Sequence, residues 1–259
     1  MENKRTAVVC GSTQGIGRAI AFQLAAQGVL VVLVGRNEQR LQETHAELEQ
    51  KFGKQPAVLR ADFSHADQVK TAIQSWVSEG NVAHILINNS GGPKSGPIVD
   101  ADPSEFLAAF NQHLIGNHIM TQALIPGMKA AGFGRVINII STSVKQPLAN
   151  LGVSNTIRGA VANWSKTMAN ELGQYGITVN NVLPGATHTG RLEEIAGVRA
   201  QKTGESLEEI FIDMGKESPM KRIAQPQEVA AAVAFLASDA ASYINGINLP
   251  VDGGRTKSL

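Results

Sequence analysis

The chain is short of several things, and each shortage excludes something. Among its 259 residues there is one cysteine, Cys10, so no disulfide can form within the chain. Its place in the apolar run "TAVVC" reads as a buried, inert thiol. Charge is sparse and balanced, 23 Lys and Arg against 22 Asp and Glu, for a formal net charge of +1. No one-sign field exists to draw nucleic acid or an anionic membrane, and no basic, aromatic-laced segment suits a nucleic-acid surface. Aromatic residues are 5% of the chain, and only two are tyrosines, Tyr175 and Tyr243. No apolar run approaches the ~18 residues of a membrane span. The opening "MENKR" leads into too few apolar residues for a signal-peptide core. A cytoplasmic protein without membrane contact is the expectation. His45, His65, His84, His113, His118 and His188 show no zinc-ligand spacing with Cys or acids, so no metal is expected.

What is present is a rhythm. Short Val/Ile/Leu-rich runs at Thr6–Cys10, Val29–Val34, Ala57–Ala61, His84–Asn88, Arg135–Ile140, Thr178–Leu183 and Ile247–Val251 suit parallel strands covered on both faces. Between them, Gly15–Gln27, Glu38–Lys51, Asp67–Ser78, Pro103–Lys129, Ser154–Tyr175 and Pro226–Ala237 carry helical periodicity. Pro103 and Pro226 stand as first-turn prolines, Gly28 and Gly53 as stops. The alternation predicts one α/β domain over residues 1–259, a doubly wound seven-stranded parallel sheet flanked by helices. The polar, glycine-containing stretch Thr189–Pro219 breaks the rhythm after the sixth strand, where ligands of such folds bind. It reads equally as a mobile substrate lid or a solvated helical hairpin.

"VVCGSTQGIGRAIAFQLA" places Gly11, Gly15 and Gly17 between the first strand and the first helix. Gly11 allows a tight turn, Gly15 lets backbone approach a pyrophosphate, and Gly17 permits close helix–sheet packing at a helix N-terminus that offers N–H donors. This is the phosphate loop of a Rossmann fold, and Ser12, Thr13 and Ile16 belong to it. Where an NAD-selective site would place an acid at the end of the second strand, the chain has Gly35, Arg36 and Asn37. Arg36 can pair with a 2′-phosphate, so NADP(H) is favoured over NAD(H).

These residues, with further motifs in order, resemble the short-chain dehydrogenase/reductase superfamily over nearly the whole chain, and within it the 3-oxoacyl-carrier-protein-reductase-like branch. Asp62 in "RADFS" matches the family's adenine-contacting Asp, with Phe63 beside it. "INNSGG" is similar to the family's Asn-Asn-Ala-Gly signature and brings Asn89, Ser90 and Gly91 to the cofactor. "GRVINIIS" ends on the catalytic Ser, here Ser141, and "VNNVLPGATHTG" resembles the segment whose Pro184, Gly185, Thr187 and Thr189 flank the nicotinamide. "NGINLPVDGG" is similar to the last strand and turn. The resemblance further implies a homo-oligomer, a tetramer or dimer, packed through Pro103–Lys129 and Ser154–Tyr175.

The likeness fails where proton chemistry belongs. Of the family's Asn-Ser-Tyr-Lys tetrad only Ser141 is kept; His113 stands for Asn, Ser154 for Tyr and Arg158 for Lys. Neither Tyr175 nor Tyr243 has a Lys four residues on, and Tyr175 lies roughly 30 Å beyond Ser154 along a helix. Three explanations follow. Another group, His113 ahead of His188, donates the proton to a small-molecule carbonyl while Arg158 clamps the ribose and Ser141 and Ser154 hold the substrate oxygen. Alternatively the substrate is a conjugated double bond, as in an enoyl or dienoyl thioester reductase, and solvent protonates carbon. Or the protein binds NADP(H) without turnover, as a sensor or assembly partner.

Overall fold

A computed structural model describes residues 4–53 and 57–258. Residues 1–3, 54–56 and 259 lie outside that range. Seven strands form one sheet: β1 (Thr6–Cys10), β2 (Leu30–Gly35), β3 (Val58–Arg60), β4 (Ile85–Asn88), β5 (Gly134–Ile139), β6 (Ile177–Pro184) and β7 (Asn248–Val251). Their order is β3-β2-β1-β4-β5-β6-β7, and every pair is parallel. The chain therefore reverses its direction of travel between β1 and β4, which opens a crevice at the carboxyl ends of those strands.

Successive side chains of each strand point to opposite faces, so near-continuous apolar runs bury both. Ala7, Val9, Val31, Leu33, Ile85 and Ile87 join one core with α1 (Gly15–Ala26), α2 (Glu38–Phe52) and α9 (Pro226–Ala237). Val8, Cys10, Val32, Val34 and Leu86 join the other, with α3 (Ala66–Ser78), α5 (Gly116–Ala131) and α6 (Gly152–Leu172). Each fully buried Leu, Ile or Val contributes about 1.5–3 kcal/mol. Burial pushes the Cys10 thiol up to about 12, which keeps it inert.

Pro103 and Pro226 do occupy the first turns of α4 (Pro103–Phe110) and α9, and Gly28 and Gly53 carry the positive φ of helix stops. The segment read as one helix, Pro103–Lys129, is α4 and α5 joined by a π turn at Asn111–Ile115. That turn adds a residue to the helical path and seats His113 in the interior, 1% exposed. The helix read as Ser154–Tyr175 is α6 followed by a 3-10 turn at Gly173–Tyr175. The insertion folds as two helices, α7 (Gly190–Thr203) and α8 (Leu207–Lys216), the second opened by a Ser206/Glu209 capping box. Arg199 ties the pair together through Glu205 and Asp213, both at 3.0 Å.

An amide ladder runs from the central strand β4 to the edge strand β7. Asn88, Asn138, Asn181 and Asn248 are register partners on β4, β5, β6 and β7. Asn88 Nδ2 donates to Asn138 Oδ1 at 2.8 Å, Asn138 Nδ2 to Asn181 Oδ1 at 3.0 Å, and Asn181 Nδ2 to Asn248 Oδ1 at 2.8 Å. Ser165 of α6 donates to Asn181 Oδ1 at 2.7 Å and accepts from Asn138 at 2.9 Å, so one helix is pinned to the ladder.

Candidate active site

The glycine loop is built as a cradle. Gly11 and Gly15 hold φ of +59° and +53°, a region costly for any residue with a Cβ. A Cβ on Gly17 would lie 2.1 Å from Gly11 O and 2.6 Å from Asn89 Nδ2. Asn89 straps the end of β4 to this loop, donating to Cys10 O at 3.2 Å and Gly11 O at 3.4 Å. Ser12 is buried and bonds Val34 O at 3.3 Å, which ties the loop to β2, while Thr13 and Ile16 are half-buried along it. The Gln14 side chain makes no capping hydrogen bond to the first turn of α1, and no acid stands in that turn. The amides of that turn and the positive end of the helix are thus left for an anion. On the other side, the Thr189 methyl lies 3.1 Å from where a Gly15 Cβ would be.

Arg36 follows β2, exposed, with no hydrogen bond or ion pair among the described residues. Asn37 beside it caps α2 by accepting from Arg40 N at 2.9 Å. Arg40 reaches back to Gln14 Oε1 at 2.8 Å, a second cation at the rim that sequence reasoning passed over. Partial burial raises the Asp62 carboxyl, but donation from Ser64 N–H and Oγ and the charges of Arg36 and His65 outweigh it, and the net shift is downward. Phe63 is buried, and a Cβ on Gly116 would meet its ring at 2.8 Å.

The candidate catalytic positions lie near the carboxyl ends of β4 and β5. Ser90 Oγ and His113 Nδ1 are 2.7 Å apart, and His113 Nε2 is buried without a partner among the described residues. Burial first, then the Arg158 charge, drives the imidazole down to about 2, so the ring is neutral and its protonated form is excluded at neutral pH. Gln112, next to it, donates to Gly91 O at 2.8 Å. Arg158 lies within α6, 7% exposed, and its Nη1 donates to Ile139 O at 3.2 Å. No carboxylate pairs with it among the described residues. Burial and the nearby Arg191 lower the guanidinium to about 10, still a cation at neutral pH. Ser141, at the end of β5, accepts from Ser143 N at 3.1 Å; Ser154, in the first turn of α6, has no hydrogen-bond partner among the described residues.

Beyond β6, Gly185 packs so closely that a Cβ would lie 2.8 Å from Asp252 Cα, and Thr187 Oγ1 bonds Gly185 O at 3.0 Å, just past Pro184. Thr189 opens α7 by accepting from Leu192 N at 3.4 Å. Arg191, which the sequence did not single out, spans from α7 to Pro93 O and pairs with Glu194 at 3.1 Å. His188 is exposed, its ring 5.8 Å from that of Phe211. Tyr175 and Tyr243 sit beside the amino ends of β6 and β7, the opposite edge of the sheet from Ser154. Among the described residues, no cluster of metal-ligating side chains occurs and no helix is long and apolar enough to cross a membrane.

The family model described as enoyl-(acyl carrier protein) reductase matches residues 11–256. The chain belongs to the short-chain dehydrogenase/reductase superfamily. Within that superfamily it is 32% identical over 258 residues to the NADPH-dependent reductase BacG of Bacillus subtilis, covering 99% of this chain and all, 100%, of that one. It is similar in structure to YwfH, an NADPH-dependent reductase involved in bacilysin biosynthesis, with a TM-score of 0.94 at 32% identity and 99% and 100% of the two chains covered. The L-sorbose reductase of Gluconobacter frateurii, solved with NADPH and L-sorbose, superposes with a TM-score of 0.93 at 32% identity, covering 99% and 98%.

Proposed function

We propose that this short-chain dehydrogenase/reductase binds NADP(H) and reduces a double bond conjugated to a carbonyl, an enone or enoyl thioester, with Arg158 as the group that receives the developing negative charge. The observation that carries this reading is a buried, unpaired guanidinium at the Lys position beside a histidine held neutral. The cradle fits the cofactor: the glycine loop and first turn of α1 take the diphosphate, Arg36 the 2′-phosphate and Asp62 with Phe63 the adenosine. Asn89, Ser90, Gly91, Pro184, Gly185, Thr187 and Thr189 line the nicotinamide half. Bound there, the nicotinamide supplies hydride.

The protein's part is then electrostatic. One Arg158 N–H is committed to Ile139 O, which leaves others of its five for ribose hydroxyls and for the substrate oxygen. Ser141 and Ser154 hydroxyls complete the hold on that oxygen. As hydride reaches the β-carbon, charge builds on the oxygen, and a fixed cation stabilises the enolate without giving up its proton. Solvent then protonates carbon. His113, neutral, positions Ser90 through their hydrogen bond and serves as no acid. A ketone lacks this route, since its oxygen needs a proton as the bond forms. Association into a homo-oligomer through the α4 face, where Leu107 and Phe110 are exposed, also belongs to this reading.

Steady-state NADPH oxidation tests the reaction. Enones and enoyl thioesters turn over and simple ketones do not, with a pH profile flat through neutrality and falling only as the pH approaches the about 10 of Arg158. A limb near the ~6.5 of an ordinary histidine, or preferred turnover of ketones, overturns the assignment. Tight NADPH binding with no turnover on either panel would instead favour the sensor reading. Arg36→Asp tests the cofactor: it weakens NADPH about 10–100-fold, the effect of losing a charge-assisted hydrogen bond, and NADH only slightly. Fluorescence titration of both coenzymes reads this, and equal losses refute the role of Arg36.

A further inference from the structure

Arg40 makes an unusual choice of partner. It lies in the first turn of α2, exposed, and its backbone is fixed because Asn37 Oδ1 accepts from Arg40 N–H at 2.9 Å. On a helix surface residues three and four apart are neighbours, so Glu43 is within reach of Arg40. Glu43 instead accepts from Gln39 at 2.9 Å, and Glu38 accepts from Gln42 at 2.9 Å. Arg40 turns away from its own helix, and its Nη1 donates to Gln14 Oε1 at 2.8 Å, on the phosphate loop. That loop and the end of β2 are in contact. A Cβ on Gly35 would meet the Thr13 methyl at 3.4 Å, and Ser12 N–H donates to Val34 O at 3.3 Å. Arg18, the cation of α1 nearest this corner in sequence, is paired with Glu47. Arg36 and Arg40 are left without a carboxylate partner among the described residues, and both, like Gln14, are exposed and open to a ligand.

We propose that Arg40 shares the 2′-phosphate of NADP(H) with Arg36, and that Gln14 positions it there. A phosphate monoester carries about two negative charges at neutral pH and three acceptor oxygens, more than one guanidinium matches. One bond to Gln14 leaves others of the five Arg40 N–H donors for those oxygens. The neutral carboxamide matters. It fixes the guanidinium beside the loop without cancelling its charge, as a carboxylate would. The inference deepens the coenzyme placement set out under the proposed function and rests on it, independently of which substrate bond is reduced.

The probes are adenosine 2′,5′-bisphosphate and its 3′,5′ isomer, equal in charge and different only in where one phosphate sits. Titration calorimetry on the full chain compares them, and fluorescence titration compares NADPH with NADH. The parent prefers the 2′,5′ isomer. Arg40→Gln weakens that isomer and NADPH about tenfold, the loss of one charge-assisted contact, and changes NADH by less than about twofold. Its melting temperature without ligand stays within about 2 °C of the parent's, as for an exposed substitution. Arg40→Lys holds the loss to about threefold, since the charge stays and the fork goes. Gln14→Leu also costs about threefold, and adds nothing to Arg40→Gln because the two act as a unit. Equal losses for NADPH and NADH, or no preference between the isomers, overturns the assignment. A lowered melting temperature with NADPH affinity intact also overturns it, and shows a strap between α1 and α2. If Arg36→Gln weakens NADPH and Arg40→Gln does not, the coenzyme placement stands and this inference alone falls. If neither changes NADPH, both fall.

Discussion

Gly17→Ala removes NADPH binding, with an affinity loss beyond 100-fold on a fluorescence titration (about 2.7 kcal/mol or more). The added carbon would lie 2.1 Å from Gly11 O and 2.6 Å from the Asn89 amide, where no Cβ can be accommodated. Neither neighbour is a flexible side-chain tip. Gly11 is backbone in the left-handed region, and Asn89 is committed to two carbonyls of the loop. Relief therefore comes from moving α1 away from β1, which spoils the cradle and costs about 1–3 kcal/mol of stability as overpacking does. For a chain of this size that is a fall of about 2–4 °C in melting temperature per kcal/mol. Gly28→Ala is the control. It too stands at positive φ, +80°, but nothing among the described residues lies within 4 Å of its Cβ, so it lowers stability and leaves NADPH affinity intact. A Gly17→Ala protein that still binds NADPH within a few-fold of the parent would mean that the loop is not the diphosphate site.

Arg158→Met separates function from stability. Enone reduction falls about 10²–10³-fold in kcat, the range for removing one preorganised stabiliser of an oxyanion. The melting temperature rises at the same time. Methionine has a comparable stem, and replacing a buried cation that has no acidic partner among the described residues relieves a desolvation penalty. Loss of activity with a gain of stability is the signature of a site that holds an uncompensated charge for a purpose. Unchanged turnover, or a protein that melts lower, would show Arg158 to be structural. The pair Ser154→Tyr with Arg158→Lys restores a hydroxyl that can be tuned as an acid, and it brings ketone reduction into a site otherwise intact.

Much of the fold is legible in the residues alone, because buried parallel strands need apolar side chains on both faces and their crossover helices need one apolar stripe. All seven strands and the main helices follow from that. The pair α7 and α8 is less legible. It is polar and interrupted by Gly197 and Gly204, and only "SLEE" at Ser206–Glu209, a capping-box signal, marks the second helix clearly. The π turn leaves no trace in periodicity, since one extra residue in a helix of 29 positions changes the pattern too little. In the candidate site, glycine spacing marks the loop proposed for the diphosphate because only backbone chemistry is at stake. Arg40, Arg191 and the strap role of Asn89 are invisible, since each depends on a partner brought near by tertiary packing. His113 shows the same limit: its residue type suggests a titrating group, and only its surroundings show that it stays neutral.

The row of four asparagines has a consequence for how the sheet assembles. Parallel strands meet late, after long crossovers, and aliphatic side chains alone would tolerate sliding by two positions with little penalty. Shifting any one of these strands would strand at least one carboxamide in a dry interior. The ladder therefore acts as a proofreading key for strand alignment. The same key sets the depth of Asn89, one step past Asn88, so faithful assembly and a competent coenzyme mouth are secured by a single alignment.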